Sequence, residues 1–185
     1  MEIVNIWYGT GEMAWLSNLA YRPFTFKGKR YATVEHAYQT WKSGEFDRVV
    51  YNKPWQEGSK FVGNKGTRTE NDWNIGLMKA LILKSFLDPM NERRKWSFLS
   101  LIQLDVKFTH TQDKGIWRTK FPDCLYEVAD YWLGVININN YQRSRFSNKI
   151  LSSLFDTINL KVISIFGWAF KKNTKDFITG SCKNF

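Results

Sequence analysis

Cysteine and histidine are both scarce in this chain of 185 residues: Cys124 and Cys182, His36 and His110, with no Cys-x-x-Cys pair. That scarcity supports neither a disulfide framework nor a Cys/His zinc site, so chemistry without a metal or a cofactor is the expectation. Long apolar runs are missing as well. No uncharged stretch approaches the roughly 20 residues that cross a bilayer, and residues 1–8 hold an acid and no basic cluster. Neither a membrane span nor a secretory signal is expected, and the chain is expected in the cytoplasm. Glycine-rich phosphate loops are absent in any complete form: GTGEM at 9–13 lacks a third glycine, and GNKGTR at 63–68 lacks the Lys-Ser/Thr ending. No internal repeat or low-complexity tract points to a solenoid.

What the chain has in abundance is aromatic surface. Nine Trp, fourteen Phe and eight Tyr make up 17% of it, and 43% is hydrophobic, which excludes wholesale disorder. The length suits one domain with a core of its own plus an appendage. The formal charge of +10 is unevenly spread: residues 141–185 hold eight of the 27 Lys and Arg but two of the 17 Asp and Glu. A basic balance attracts phosphate-bearing partners, whether nucleotide, ADP-ribose or nucleic acid.

Local patterns predict an α+β fold, mainly helical, with a small sheet drawn mostly from the first 35 residues. Short apolar stretches broken by Gly9, Gly11, Pro23 and Gly28 read as brief strands, and PFTFKGKRY reads as a hairpin. Thr33 can cap a helix reaching about Ser43, with Val34, Ala37, Tyr38 and Trp41 on one face and Glu35, Gln39 and Lys42 on a flanking one. A helix from Asn71 or Asp72 to Leu87 carries a wide stripe of Leu77, Met78, Leu81, Ile82 and Phe86, and a third runs from about Asn91 to Leu104. DVKFTHT begins like a strand, and FPDCLYEVADYWL is helical with Pro122 near its first turn. Beyond Gly134 the texture turns Asn-rich and basic. The expected division is therefore a main domain over 1–134 and a basic extension over 135–185.

Both histidines stand beside carboxylates, as Glu35-His36 and His110-Thr111-Gln112-Asp113. Each position has a bland alternative. Glu35 fits a solvated carboxylate in a first helical turn, where the helix dipole favours negative charge, and His36 and His110 fit structural histidines. Trp73 and Trp117 follow polar, turn-forming residues, which suits stacking platforms lining a cleft as well as core packing.

The block LSNLAYRPFTFKGKRYATVEHAYQTWKSGEF resembles the opening of the NADAR (YbiA-like) family: Ser17-Asn18, the hairpin ending at Tyr31, then Thr33-Val34-Glu35-His36 followed by Tyr38-Gln39 and Lys42. Gly63, Asn71-Asp72-Trp73, Met78 and Phe86 resemble its middle helix, FTHTQDKGIW its His-Thr…Asp…Trp segment and FPDCLYEV its closing helix. The similarity spans about residues 3–133. The chain departs from the pattern at Trp117-Arg118 and in the short connection RTKFP, and it spaces Asp113 from Trp117 by four residues where three is common.

The resemblance implies an N-glycosidase acting on ribosyl groups, either removing ADP-ribose from modified guanine in nucleic acid or cleaving ribosylamino-pyrimidine intermediates. It implies Glu35 and Asp113 as the catalytic carboxylates, stabilising an oxocarbenium-like ribose and activating water. It further implies Asn18 on a ribose hydroxyl, Lys42 on a phosphate, Trp73 and Trp117 against the base or sugar, and His36, Gln39 and His110 in substrate binding. The expected partner is an ADP-ribosyl or ribosyl-nucleotide substrate, with nucleic acid a further candidate, and oligomeric state is left open. A silent module that binds ADP-ribose or a nucleotide is the alternative from another class.

Overall fold

A computed structural model describes residues 2–9, 11–58, 72–111 and 115–153. The strands are β1 (Ile3–Asn5), β2 (Phe24–Phe26), β3 (Lys29–Tyr31) and β4 (Lys107–Thr109). The helices are α1 (Val34–Trp41), α2 (Arg48–Tyr51), α3 (Trp55–Gly58), α4 (Asp72–Leu87), α5 (Glu92–Gln103) and α6 (Trp117–Ser153), with short 3-10 turns at Glu12–Leu16 and Pro89–Asn91. The fold is thus α+β and mostly helical. The chain divides after Ile138 into two units, and every element before α6 lies in the first. The described part of the second unit is the end of α6, with Tyr141 and Phe146 exposed.

The β structure departs from the sequence expectation in one respect. β2 and β3 form the predicted antiparallel hairpin, turning through Lys27 and Gly28 at positive φ. β1 instead pairs in parallel with β4, Val4 opposite Phe108, so the described residues form two separate two-stranded sheets, one of them borrowing a strand from residues 107–109, and not the one small sheet expected mostly from the first 35 residues. A three-residue strand cannot announce a partner a hundred positions away, because pairing is settled by packing and not by local pattern.

α4 occupies the centre of the main unit because apolar side chains cover most of its circumference. Leu81, Ile82, Met78 and Phe86 are fully buried, packed with Phe24, Phe98, Phe108 and Phe121 from four other elements. Phe86 stacks on Phe98 with centroids 5.0 Å apart, and Phe108 stacks on Tyr126 at 5.3 Å. Each such side chain contributes about 1.5–3 kcal/mol by leaving water. Arg22 is buried among them: Nε donates to Ser85 Oγ at 2.8 Å, Nη1 donates to the Trp15 carbonyl at 2.9 Å, and the guanidinium lies 4.5 Å from the Phe86 ring centroid. Burial first, and repulsion from Arg94 second, disfavour its charged form.

Helix boundaries follow the sequence closely except in α6. Asp47 caps α2, and Gly44, at positive φ, closes the turn after α1 through its N–H to the Trp41 carbonyl at 2.9 Å. α6 starts before Pro122 and continues through Gly134, where a Cβ would meet nothing within 4 Å. One open glycine weakens a helix by about 1 kcal/mol, too little to end one carried by Tyr126, Trp132 and Ile136 on the core. Cys124 packs in this helix, where burial pushes its thiol up to about 11. The hydrophobic run NLKVISIFGWAF at 159–170, whose pattern fits either a strand or an added helix, lies outside the described residues.

Candidate active site

Thr33 sets the geometry of α1. Its hydroxyl accepts from the His36 N–H at 3.0 Å, fixing Glu35 in the first turn. Residues 35, 38, 39 and 42 then recur at helical spacing and fall along one side. The loop at Asn18 grips this turn twice. The Glu35 N–H donates to the Asn18 carbonyl at 2.9 Å, and the Asn18 amide Nδ2 donates to Glu35 Oε2 at 2.5 Å. One turn further on, Gln39 Nε2 donates to Glu35 Oε1, also at 2.5 Å. A carboxylate only accepts, so both amides must present nitrogen to Glu35. The charged acid is therefore held at both oxygens by neutral donors from two elements, half-buried and aimed.

Around this clamp lie groups that its charge influences. Lys42, only 4% exposed, has its ammonium disfavoured by burial and favoured by the nearby charges of Glu35 and Asp47, with burial the larger effect. Tyr38 donates to Asn74 Oδ1 at 3.2 Å and meets the Trp117 ring edge-on at 5.4 Å. Its phenol is raised well above the ordinary range, first by burial and then by the Glu35 charge. A fixed carboxylate beside a buried amine and an aromatic edge can stabilise developing positive charge or accept a proton from water.

Asn18, Glu35 and Gln39 are thus brought into direct contact, with Lys42 close enough to feel the carboxylate. Trp117 joins through Tyr38. Asn18 turns its amide to Glu35 and its Oδ1 accepts from Ser17 Oγ at 3.3 Å, so it positions the acid. Trp73 is 49% exposed at the start of α4, while its neighbour Asn74 makes the contact with Tyr38. His36 points elsewhere, donating from Nε2 to the Val50 carbonyl at 3.0 Å with its ring against Tyr31 and Tyr51. His110 is buried: Nδ1 donates to the Trp117 carbonyl at 3.3 Å and the ring packs on Trp7 and Phe121. This bond clips the two ends of the segment that carries Asp113. Asp113 itself lies outside the described residues.

Tyr38 and Asn74 were missed as polar members of the cluster. Tyr38 fell on the apolar face of α1, and only its hydroxyl, paired across to α4, makes it part of the site. Among the described residues no group of three or more His, Cys, Asp or Glu could hold a metal ion.

No protein-family model matches the chain. Stretches of 52 residues match UDP-glucose 6-dehydrogenases, at 65% identity in Caenorhabditis elegans, 60% in Drosophila melanogaster and 56% for UDP-glucose 6-dehydrogenase 4 of Oryza sativa subsp. japonica. Each match takes in 28% of this chain and 11% of the relative, so the chain spans about a tenth of the length of the curated relatives it matches. Among solved structures, the NMR structure of the E. coli protein YbiA superposes with a TM-score of 0.53 at 16% identity, over 74% of this chain and 88% of that one. At that identity the likeness is one of architecture, and the chain has the YbiA-like fold.

Proposed function

We propose that this protein is a metal-independent ribosyl N-glycosidase of the NADAR family, an ADP-ribosyl-glycohydrolase that frees ADP-ribose from guanine adducts in nucleic acid or from a related ribosylamino group. The observation that carries the reading is the two-sided amide clamp on Glu35. Breaking a C1′–N bond leaves positive charge on the ribose C1′ and ring oxygen, and a carboxylate already aimed by neutral donors stabilises it without reorganising. The same oxygen can accept the proton of the attacking water. Lys42 balances the charge of Glu35 from within the fold, and Trp117 with Tyr38 supplies an aromatic wall. Asp113 is the second carboxylate of the proposal. The YbiA-like fold supports the family assignment, which rests otherwise on the motif order around Glu35.

The test is incubation of the full chain with ADP-ribosylated guanine DNA, ADP-ribosylated protein and ribosylamino-pyrimidines, with products read by mass spectrometry. Release of free ADP-ribose or ribose phosphate, lost in Glu35→Gln, is the expected result. Tight binding of ADP-ribose with no turnover of any substrate would instead make the chain a binding module.

A further inference from the structure

We infer that the tip of the β2–β3 hairpin and the end of α1 form a docking surface for the phosphodiester backbone of single-stranded nucleic acid, the strand that carries the modified guanine to Glu35. The surface deepens the glycosidase reading, and rests on it for the choice of strand. Four half-buried rings form a row there. Phe26 meets Trp41 edge-on with centroids 6.1 Å apart, Trp41 meets Phe46 at 5.3 Å, and Phe46 meets Tyr51 at 5.3 Å. Two lysines of the hairpin lie on this row. The Lys27 ammonium stands 4.2 Å from the Trp41 centroid and 5.8 Å from that of Phe26, and the Lys29 ammonium 5.1 Å from Phe46 and 5.5 Å from Tyr51.

Charge and backbone select a polyanion as the occupant. The rings hold both ammoniums without neutralising them, because a ring face attracts a cation through its quadrupole and carries no net negative charge. Neither lysine has an ion pair among the described residues, whereas Arg30, the next residue of the hairpin, is matched to Asp88. Of the two acids flanking Phe46, Asp47 accepts from the Val49 and Val50 N–H groups at the start of α2, and Glu45 is exposed. Lys27 also occupies the left-handed region, at φ 46°, ahead of Gly28. That place in a two-residue hairpin turn favours Asn, Asp or Gly. The turn does not call for a lysine, so charge is what the residue adds.

Position ties the surface to Glu35. Trp41 lies six residues beyond Glu35 on α1, about 9 Å along the axis, the length of two to three stacked nucleotides at about 3.4 Å each. Lys42 feels the charges of both Glu35 and Asp47, so the turn that carries Phe46 and Asp47 borders the Glu35 site. Glu35 is half-buried within its clamp, and a base must leave its stack to reach it, which selects an unpaired strand over a duplex. With the guanine at Glu35, neighbouring phosphates of the strand fall across Lys27 and Lys29.

The test is fluorescence-anisotropy titration of the full chain with a labelled oligothymidylate of about twelve nucleotides, within the usual footprint of such sites, from low to high salt. Lys27→Asn combined with Lys29→Gln, Asn being chosen to suit the turn, should weaken binding at least about tenfold at about 50 mM salt. It should also flatten the slope of log K against log salt by about 1.4, the share of two phosphates on a single strand. Lys27→Arg with Lys29→Arg should keep both. Thermal unfolding checks the fold, and where the double variant unfolds, Lys27→Asn alone decides, with a slope change of about 0.7. Unchanged binding, an equal effect on a duplex, or an equal loss in Arg143→Gln with Arg145→Gln, which removes two charges from the exposed end of α6, overturns the inference. Turnover that falls equally for ADP-ribosylated guanosine and for an ADP-ribosylated strand assigns the lysines to the ADP-ribose and also overturns it. Glu35→Gln should bind the strand as the wild type does. Strand binding lost in the lysine variant, with no turnover of any ribosyl substrate by the wild type, upholds the surface and refutes the glycosidase.

Discussion

Glu35 and His36 are neighbours on one helix, and their surroundings have almost nothing in common. Glu35 faces amides, with both oxygens bonded to neutral donors and a lysine nearby. His36 faces rings and a backbone carbonyl, against Tyr31, Tyr51 and Gly58. One helical step turns a side chain by about 100°, enough to move it from a polar clamp into an aromatic shell. Adjacency in sequence therefore says little about shared chemistry. The helical repeat, which joins 35 with 39 and 42, says much more.

The largest expected effect of breaking this contrast is at Glu35. Glu35→Gln keeps volume and reach, and Gln39 can flip its amide to meet the new one, so the variant should unfold at nearly the wild-type temperature. Its turnover should fall by about 10² to 10⁴, the ordinary cost of losing a positioned acid or base. A folded variant with an unchanged rate would move the chemistry to another residue, Asp113 being the next to replace.

On the other side, Gly58→Ala should act on stability and leave the Glu35 chemistry nearly intact. A Cβ at Gly58 would sit 2.5 Å from His36 Cδ2 and 2.7 Å from its Nε2, with the Val50 carbonyl 3.2 Å away. Overpacking of this kind costs about 1–3 kcal/mol, read by urea denaturation. A comparable loss of turnover would show that the two sides of α1 are coupled.

Thr33→Ala touches both sides at once, because the cap begins the helix that carries them. Its loss should cost about 1 kcal/mol, seen as a lowered melting temperature. An unchanged melting temperature would mean that tertiary packing alone holds the first turn.

The smallest effect is expected from pH. Burial, opposed in part by the Val50 carbonyl, holds the folded His36 below its ordinary value. The unfolded imidazole thus takes up a proton first, at about pH 6.5 and below, and stability should fall as pH drops from there until the folded ring is protonated in turn. Denaturant midpoints at pH 7.5 and 5.5, compared between wild type and His36→Gln, check this. The variant should lose part of the slope, and an identical slope would assign it to other groups.

Much of this arrangement is legible before any coordinates. The Thr33 cap, the helix it starts, the shared face of Glu35, Gln39 and Lys42, the stripe of α4 and the β2–β3 hairpin all come from interactions within a few residues, which local pattern records. Tertiary structure decided the rest. It paired β1 with β4 across the chain and brought the Asn18 amide onto Glu35. It also reached Asn74 over to Tyr38 and buried Arg22 against Ser85. Such contacts join residues from 17 to over 100 positions apart. Each requires the closure of a loop whose entropy cost only the assembled core offsets, and no short stretch of sequence carries that information.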